Sequence, residues 1–414
     1  MDPRTGLQQQ LVRDRDRIIQ LVRDMVRIPS ENPPGDTTEL YAFVADFLQR
    51  QKLDFDTIAP VPEWPNLVAS FDGGEPGKHL VLNGHLDIFP AGDRSRWTSD
   101  PYAAEIRDGK LYGRGVSDMK TGTAASILTY VYLSRIRQHL KGRLTLTAVS
   151  DEETGGVWGT KHLLDNHPGT LGDCVLNGEP STPRTVRFGE KGPLWINVEL
   201  RTPGGHGAYT HQSPNAIKHG ARLIQELETL TQLPFEIPRD VEEKIEAARS
   251  ALDDVLGQGA TDVVKAITLN IGVISGGDKM NMIAADCHIE VDLRAPVGMP
   301  IQRLLGEFER ILNKYEGASY TIAGGHDANV CDPNHEMVRI VADNAESVRG
   351  IRPHPAISIG GTDCRLWRER GVPAYVYGPT PYGMGAPDEH VTLDDLLGTV
   401  HVHVLSAYDY LMSE

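Results

Sequence analysis

The sequence lacks most features of secreted, disulfide-stabilised and membrane-spanning proteins. Only four of its 414 residues are cysteine, and no Cys-x-x-Cys pair occurs, which predicts buried free thiols in a reducing compartment. No apolar run approaches the roughly 20 residues that span a bilayer. The N-terminal residues 1–17 alternate charges where a signal peptide needs an apolar core. These absences predict a cytoplasmic protein with no membrane partner.

Basic residues are outnumbered by acidic residues. The chain has 41 Lys and Arg against 57 Asp and Glu, which gives a formal net charge of −16. A charge of this sign repels a phosphate backbone, so no nucleic-acid partner is expected. At 414 residues the chain exceeds the size of one ordinary hydrophobic core, and this predicts two domains.

The two ends of the chain share one pattern of predicted elements. Up to Asn177, and again after Asp332, strands alternate with helices, among them a long apolar helix over 121–140. Alternation of this kind is typical of helices packed on both faces of a parallel sheet. We therefore predict an α/β fold with a doubly wound, mostly parallel sheet.

The middle of the chain follows a different pattern. Over residues 188–330 the predicted order is βαββαβ, with a glycine-rich hairpin turn at 275–278. This order is typical of split-βαβ, ferredoxin-like α+β domains. We expect such a domain to be inserted into the α/β domain, which would consist of residues 1–187 and 331–414.

Residues that bind metals follow the predicted strands. His85 ends one strand-like run, Glu152 and Glu153 follow a second, and Glu179 follows a third, while Asp118 precedes the apolar helix. Because the carboxyl ends of parallel strands meet at one edge of an open sheet, these side chains are expected to converge. Any one of them alone is most simply a turn or helix-capping residue. Their joint occurrence favours a metal centre.

The donor types indicate a hydrolytic centre. His85, Asp118 and Glu179 supply one imidazole and two carboxylates, a set suited to zinc, manganese or cobalt. A divalent cation makes water a stronger acid and polarises a carbonyl, and hydrolysis of an amide at neutral pH requires both. The sequence therefore predicts a metal-dependent hydrolase.

Three further carboxylates have predicted roles beside these ligands. On an extended strand end the side chains of Glu152 and Glu153 would point to opposite sides, so that one could bind metal while the other acts as the general base. Asp87, two residues after His85, would project to the same side and orient the imidazole.

Short motifs spread over nearly the whole chain carry a family resemblance. They lie at Gly84–Asp87, Gly113–Lys120, Ser150–Gly155, Asn177–Pro180, Gly205–Ile217, Asn270–Gly277, Asp292–Arg294 and Gly360–Arg365. Together they resemble the motifs of the metallopeptidase family that contains acetylornithine deacetylase, succinyl-diaminopimelate desuccinylase, aminoacylase and glutamate carboxypeptidase. The resemblance implies a catalytic domain with an inserted domain that serves as lid and homodimer surface.

The resemblance also implies a site for two metal ions. Asp118 would bridge them, His85 and Glu179 would complete the first, and Glu153 with a histidine near the C-terminus would complete the second. Glu152 would be the general base and later the proton donor. The Asp118–Met119 peptide is expected to be cis.

Residues of the inserted domain are assigned by the same resemblance. His206 would stabilise the oxyanion of the tetrahedral intermediate. Asn281 and Arg294 match positions that help to hold the substrate, and Arg365 could pair with a substrate carboxylate. The alternative for Arg294 is a surface ion pair with a neighbouring aspartate.

One motif departs from the family pattern. Relatives place a histidine a few residues before a Pro-Asn-Glu or Pro-Asp-Glu triplet that is followed by tyrosine. Here the triplet is Pro387–Glu389, the histidine position falls at Gly385, and His390 takes the place of the tyrosine. Either His390 binds the second ion from a shifted loop, or that ion is weakly bound or absent, which leaves a site for one ion.

Three functions remain open at the level of sequence. The first is hydrolysis of an amide bond in an N-acyl amino acid or small peptide, with one or two zinc, manganese or cobalt ions. The second is cleavage of another C–N bond, because the family includes an aminohydrolase of the aryl amine 5-nitroanthranilate. The third is an inactive scaffold, against which the retained Glu152, Asp118 and His85 argue.

Overall fold

The computed structural model describes residues 2–413, which form two compact units. The first unit comprises the chain up to Phe188, Cys331–Ala356, and the chain from Thr362 onwards. The second comprises Gly189–Val330 and the short return Ile357–Gly361. No change of composition or periodicity marks that return, so the sequence did not indicate it.

A mostly parallel sheet forms the centre of the first unit, which confirms the predicted α/β class. Four neighbouring strands run parallel, and His85 at the end of one strand pairs in register with Val149 at the end of the next. This register brings the strand ends to one edge. In spatial order the strands of this unit are β1 (Asp56–Ile58), β2 (Asn66–Asp72), β6 (Lys141–Val149), β3 (Glu75–His85), β7 (Cys174–Asn177), β17 (Ala374–Val376) and β8 (Thr185–Glu190), with β16 (His354–Ser358) beside β8 and a small separate sheet of β18 (His390–Thr392), β5 (Lys110–Tyr112) and β4 (Glu105–Arg107).

Helices cover this sheet, and one of them is buried on all sides. The side chains of α4 (Thr121–Ser134) are buried from Thr121 to Leu133, as its apolar sequence predicts. It ends six residues before the predicted boundary, because the chain turns separately at Arg137–His139 before entering the next strand. No helix within residues 2–413 combines the length and apolarity needed to cross a bilayer. The other helices of this unit are α1 (Pro3–Arg13), α2 (Arg15–Val26), α3 (Thr38–Arg50), α5 (Thr160–Asn166), α11 (Glu336–Arg349), α12 (Cys364–Arg368) and α13 (Leu393–Met412).

A buried histidine of α13 predicts a pH dependence of stability. His403 is fully buried, its Nε2–H donates to the Tyr377 carbonyl at 2.6 Å, and burial lowers the pKa of its imidazole to about 4. The unfolded chain, with a pKa near 6.5, therefore binds more protons between pH 6.5 and 4, and stability falls as the pH falls through that window. The loss from this group is about 3 kcal/mol.

Urea unfolding at pH 7 and pH 4 measures this loss. His403→Gln keeps an N–H donor without the titrating ring, so its free energy of unfolding should differ less between the two pH values than that of the wild type. His354→Gln, at an exposed position of the same unit, is the matched control. Equal pH dependence in the wild type and His403→Gln would contradict the assignment.

The second unit is a four-stranded antiparallel sheet with helices packed on one face. Its order along the chain is βαββαβ, and Leu194, Ile196, Val198 and Leu200 alternate inward from one central strand to form its core. This is the ferredoxin-like arrangement that the sequence predicted. In spatial order the strands are β11 (Thr268–Ser275), β13 (Asp286–Ala295), β9 (Gly192–Arg201) and β14 (Ala318–Gly325), and the other elements are β10 (Gly205–His206), β12 (Met282–Ile283), β15 (Asn329–Val330), α6 (Ala216–Leu227), α7 (Arg239–Ala247), α8 (Arg249–Leu256), α9 (Ala260–Lys265) and α10 (Ile301–Leu312).

The predicted hairpin is present, because β11 and β13 pair as antiparallel strands and Gly277 between them has a φ of 71°. The connection is longer than the predicted turn at 275–278 and comprises the ten residues 276–285. Within that connection β12 pairs with β10 instead of extending the hairpin. This pairing separates Met282 and Ile283 from β13.

Candidate metal centre

His85 presents a buried nitrogen with no hydrogen bond. Its side chain is 1% exposed at the end of β3, and Nδ1 lies 2.8 Å from the Asp87 carbonyl oxygen. A carbonyl oxygen only accepts, so Nδ1 carries a proton and Nε2 is the ring nitrogen that is available to a metal ion. Nε2 makes no hydrogen bond to any described residue. A neutral imidazole fixed in this way is a metal ligand with one free position.

Two carboxylates approach this nitrogen at metal-binding separations. The Oδ1 atom of Asp118 lies 3.3 Å from His85 Nε2, and Oε1 of Glu179 lies 3.2 Å from it. Two donors that are each about 2.1 Å from a tetrahedral ion lie about 3.4 Å apart. The predicted convergence of His85, Asp118 and Glu179 is therefore present in the structure with the spacing of a shared ion.

The donors form two sets of three. One set is His85, Glu152 and Glu179, and the other is His85, Asp118 and Glu153; within each set the donor atoms lie within 4.8 Å of one another. Glu152 Oε2 is 4.0 Å from His85 Nε2, farther than the other oxygens. The neighbouring glutamates thus face different partners, but they lie on a short 3₁₀ turn (Glu152–Thr154) and not on the extended strand end that the sequence predicted.

The charges of this cluster are poorly compensated by the protein. Burial, together with the adjacent Asp118 carboxylate, raises the pKa of Glu179 to about 7. Burial likewise raises the pKa of Glu152 and of Glu153 well above the usual value. Burial lowers the pKa of His85, but the carboxylates, Glu179 first, outweigh it and raise that pKa well above its usual value. All four pKa values are raised because buried carboxylates lie close together, and a bound cation would offset this negative charge.

These residues fit a divalent cation. His85 Nε2 and Glu153 Oε1 are both buried without a hydrogen-bond partner among the described residues, although such atoms are normally paired. The set combines one imidazole nitrogen with several carboxylate oxygens, which suits zinc, manganese or cobalt. A bound ion would satisfy His85 Nε2 and offset the repulsion between the carboxylates.

Asp87 holds the loop that carries the two glutamates. Its carboxylate accepts hydrogen bonds from the backbone N–H groups of Glu152 at 3.2 Å and Glu153 at 3.0 Å, and from Asn32 Nδ2 at 2.9 Å. The imidazole of His85 is instead oriented by the Asp87 backbone carbonyl, while the carboxylate stays 3.5 Å from Nδ1. The sequence predicted the residue beside the histidine but not its contact with the glutamate loop.

A buried ion pair holds the segment before α4. Arg114 Nη1 donates to Glu389 Oε2 at 2.6 Å, and both side chains are at most 2% exposed. The other oxygen of Glu389 accepts the backbone N–H of Ser117 at 2.9 Å and that of Asp118 at 3.3 Å. Sequence reasoning missed this pair, because 275 residues separate its members and no local pattern joins them. The Asp118–Met119 peptide is cis, which confirms that expectation.

His390 belongs to neither donor set. Its ring lies between Tyr382, which stacks on it at 5.2 Å between ring centroids, and Tyr112, at 4.8 Å. Its Nδ1 lies 2.9 Å from the Asp388 carbonyl oxygen. The carbonyl of Gly385, at the position where relatives carry the histidine, accepts from Arg114 Nη2 at 3.1 Å.

Arg365 lies beside the predicted base. Its Nη2 donates to the Gly155 carbonyl at 2.7 Å, its Nη1 donates to the Thr362 carbonyl at 2.9 Å, and Nη1 is 4.0 Å from Glu152 Oε1. The guanidinium thus fixes the end of the glutamate loop and places a positive charge near Glu152.

The remaining predicted residues lie in the second unit. His206 is exposed, and its Nδ1 accepts the Ala208 N–H at 3.2 Å. The Asn281 carbonyl accepts the Gly207 N–H at 2.7 Å, which ties its segment to that of His206. Arg294 forms an ion pair with Asp292 at 3.1 Å and donates to the Ile359 carbonyl at 3.0 Å. The ion pair is the alternative that the sequence offered for this arginine.

Comparison with known proteins supports the same family over most of the chain. Residues 81–409 match the model of peptidase family M20/M25/M40, which confirms the resemblance. The succinyl-diaminopimelate desuccinylase of Rhodospirillum centenum is 29% identical over 393 residues, which cover 92% of this chain and 93% of the relative. The protein of the same name from Gluconacetobacter diazotrophicus is 30% identical over 402 residues, covering 92% and 94%.

Solved structures share the fold at lower identity. The M20 family metallo-carboxypeptidase Sso-CP2 from Sulfolobus solfataricus superposes with a TM-score of 0.83 at 18% identity, covering 96% of this chain and 99% of that one. The Bacillus subtilis YXEP protein, a dinuclear metal-binding peptidase, gives a TM-score of 0.64 at 15% identity, covering 97% and 99%.

Proposed function

The chain belongs to peptidase family M20/M25/M40 and is a metal-dependent hydrolase of C–N bonds, and we propose that it cleaves the amide bond of a small N-acyl amino acid or peptide. The observation that carries the proposal is the convergence of Asp118 and Glu179 on the free Nε2 of His85, with the Glu152 carboxylate 4.0 Å away. A base beside a metal centre is what hydrolysis by activated water requires.

The side chains have distinct proposed tasks. His85, Asp118 and Glu179 hold the ion, which when bound polarises the scissile carbonyl and makes water a stronger acid. Glu152 accepts the proton of the attacking water at its carboxylate and returns it to the leaving nitrogen. Burial raises the pKa of Glu152 well above the usual value, which makes it a stronger proton acceptor, while His85 and Arg365 counteract that rise.

We propose that Asp87 and Arg365 position the general base, Glu152. Asp87 binds the backbone N–H groups of Glu152 and Glu153, and Arg365 binds the Gly155 carbonyl two residues farther on. The loop that carries Glu152 is therefore fixed at both ends. Because of this, orienting Glu152 toward a water molecule costs little conformational entropy.

Substrate contacts and assembly are proposed from the family resemblance. His206 would donate to the developing oxyanion, in its own subunit or across a dimer, and Asn281, Arg294 and Arg365 would contact the substrate. We propose a homodimer formed through the second unit, whose sheet leaves Trp195 44% exposed. A cytoplasmic location accords with the four cysteines, which are all free thiols.

A substrate panel tests the proposed reaction. The purified protein, supplied separately with zinc, manganese and cobalt, is incubated with N-acetyl and N-succinyl amino acids, N-succinyl-diaminopimelate, dipeptides and aryl amines. We expect release of the carboxylic acid or amino acid from at least one acylated compound, followed by chromatography. Release of ammonia from aryl amines, without hydrolysis of any amide, would instead favour the second candidate function, cleavage of a non-amide C–N bond. No turnover of any amide under these conditions would contradict the proposal.

A further inference from the structure

We propose that this chain retains one divalent ion per subunit, held by His85, Asp118 and Glu179, and that a second ion binds only weakly because its position lacks a third protein donor. The inference rests on the proposed function and concerns the number of ions at the same site. It differs from the two-ion site that the family resemblance implies.

Only one ring nitrogen of His85 is available to a metal ion. Both three-residue donor sets include His85. Its Nδ1 lies 2.8 Å from the Asp87 carbonyl, so only Nε2 can bind a metal, and one lone pair binds one ion. The two sets therefore share their only nitrogen and cannot form two complete sites.

Two carboxylates lie close enough to this nitrogen to share an ion with it. Asp118 and Glu179 place oxygens 3.3 and 3.2 Å from Nε2, close to the separation of about 3.4 Å between donors on one tetrahedral ion. Glu152 is farther away, at 4.0 Å, and stays free for proton transfer. The first ion thus has three protein donors and an open position, the usual arrangement of a catalytic zinc site.

A second ion would have only carboxylate donors among residues 2–413. A carboxylate can bridge, so Asp118 could reach a second ion with its other oxygen. Glu153 adds one buried oxygen, Oε1, which has no hydrogen-bond partner among residues 2–413. Without His85 this position has two protein carboxylates and no nitrogen, and two ligands hold a transition metal far less tightly than three.

The loop that contains Gly385 and His390 does not supply a third ligand for the second ion. Gly385 has no side chain, and its carbonyl is taken by Arg114 Nη2. His390, the only histidine of this loop, has its Nδ1 at the Asp388 carbonyl, so only its Nε2 could bind a metal. It is a member of neither donor set among the described residues.

Metal retention tests the proposal directly. The protein is loaded with excess Mn²⁺, passed into metal-free buffer and assayed for manganese per chain by elemental analysis, with electron paramagnetic resonance on the same sample. We expect one retained ion and the spectrum of an isolated Mn²⁺. Two retained ions per chain, or the spectrum of a coupled manganese pair, would overturn the inference and leave the proposed hydrolase intact.

Two matched variants locate the retained ion. Glu179→Gln should weaken Mn²⁺ binding by more than about tenfold and lose the retained ion, while Glu153→Gln should keep it. Circular dichroism and thermal unfolding check that both variants are folded. Loss of the ion in Glu153→Gln with retention in Glu179→Gln would overturn the placement. A folded wild-type protein that retains no ion and hydrolyses no amide would overturn the proposed function as well.

Discussion

Replacing Glu152 with glutamine is expected to lower kcat by about 10²- to 10⁴-fold, the usual contribution of a general base. Glutamine keeps the size and the carbonyl oxygen of the side chain but cannot accept a proton. The Glu152 carboxylate lies 4.0 Å from His85 Nε2, beyond the two closest oxygens, so the retained metal should be unchanged. The measurement is steady-state kinetics on the best substrate of the panel, together with metal content.

The matched control is Glu39→Gln, the same substitution at an exposed position of α3. It should change neither kcat nor metal content. Near-normal kcat in Glu152→Gln would show that another group moves the proton. Loss of metal in that variant would show that Glu152 is a ligand, as the donor set with His85 and Glu179 permits.

Replacing Arg114 with methionine is expected to destabilise the first unit by about 3–5 kcal/mol at pH 7–8. The substitution leaves Glu389 buried without its ion-pair partner and removes the contact with the Gly385 carbonyl. It also frees the segment that Glu389 holds through the N–H groups of Ser117 and Asp118, so metal retention should weaken. Urea unfolding measures the stability, and elemental analysis measures the retention.

The pH dependence of this variant has a definite sign. Burial raises the pKa of Glu389, and although Arg114 counteracts this effect, the pKa is still raised to about 6. Without Arg114 the folded-state pKa rises further above the unfolded value near 4.5, so the folded variant binds more protons than the unfolded chain between those values. The stability lost relative to the wild type should therefore be larger at pH 8 than at pH 5.

An exposed ion pair of the same unit provides the control. Arg50→Met removes the partner of Asp46 on α3, where both side chains are more than half exposed, and should cost at most about 1 kcal/mol. Equal effects of Arg114→Met and Arg50→Met would show that the buried pair contributes no more than a surface pair. A loss that does not change between pH 5 and 8 would contradict the titration of Glu389.

Local pattern predicted the elements that have a regular period. The inward alternation of Leu194, Ile196, Val198 and Leu200 identifies a half-buried strand, and the apolar run of α4 identifies a buried helix. Element ends were less predictable, as the ending of α4 at Ser134 and the ten-residue connection between β11 and β13 show. Ends depend on where a partner element lies, and the sequence of the element itself does not contain that information.

The sequence by itself determined the α/β class, the family and the convergence of His85, Asp118 and Glu179, because parallel strands deliver their ends to one edge whatever their separation along the chain. The tertiary structure alone decided that Arg114 pairs with Glu389 and that Asp87 binds the glutamate loop. Such contacts join side chains from distant or differently turned segments. Their energy depends on burial and distance, which no spacing along the chain specifies.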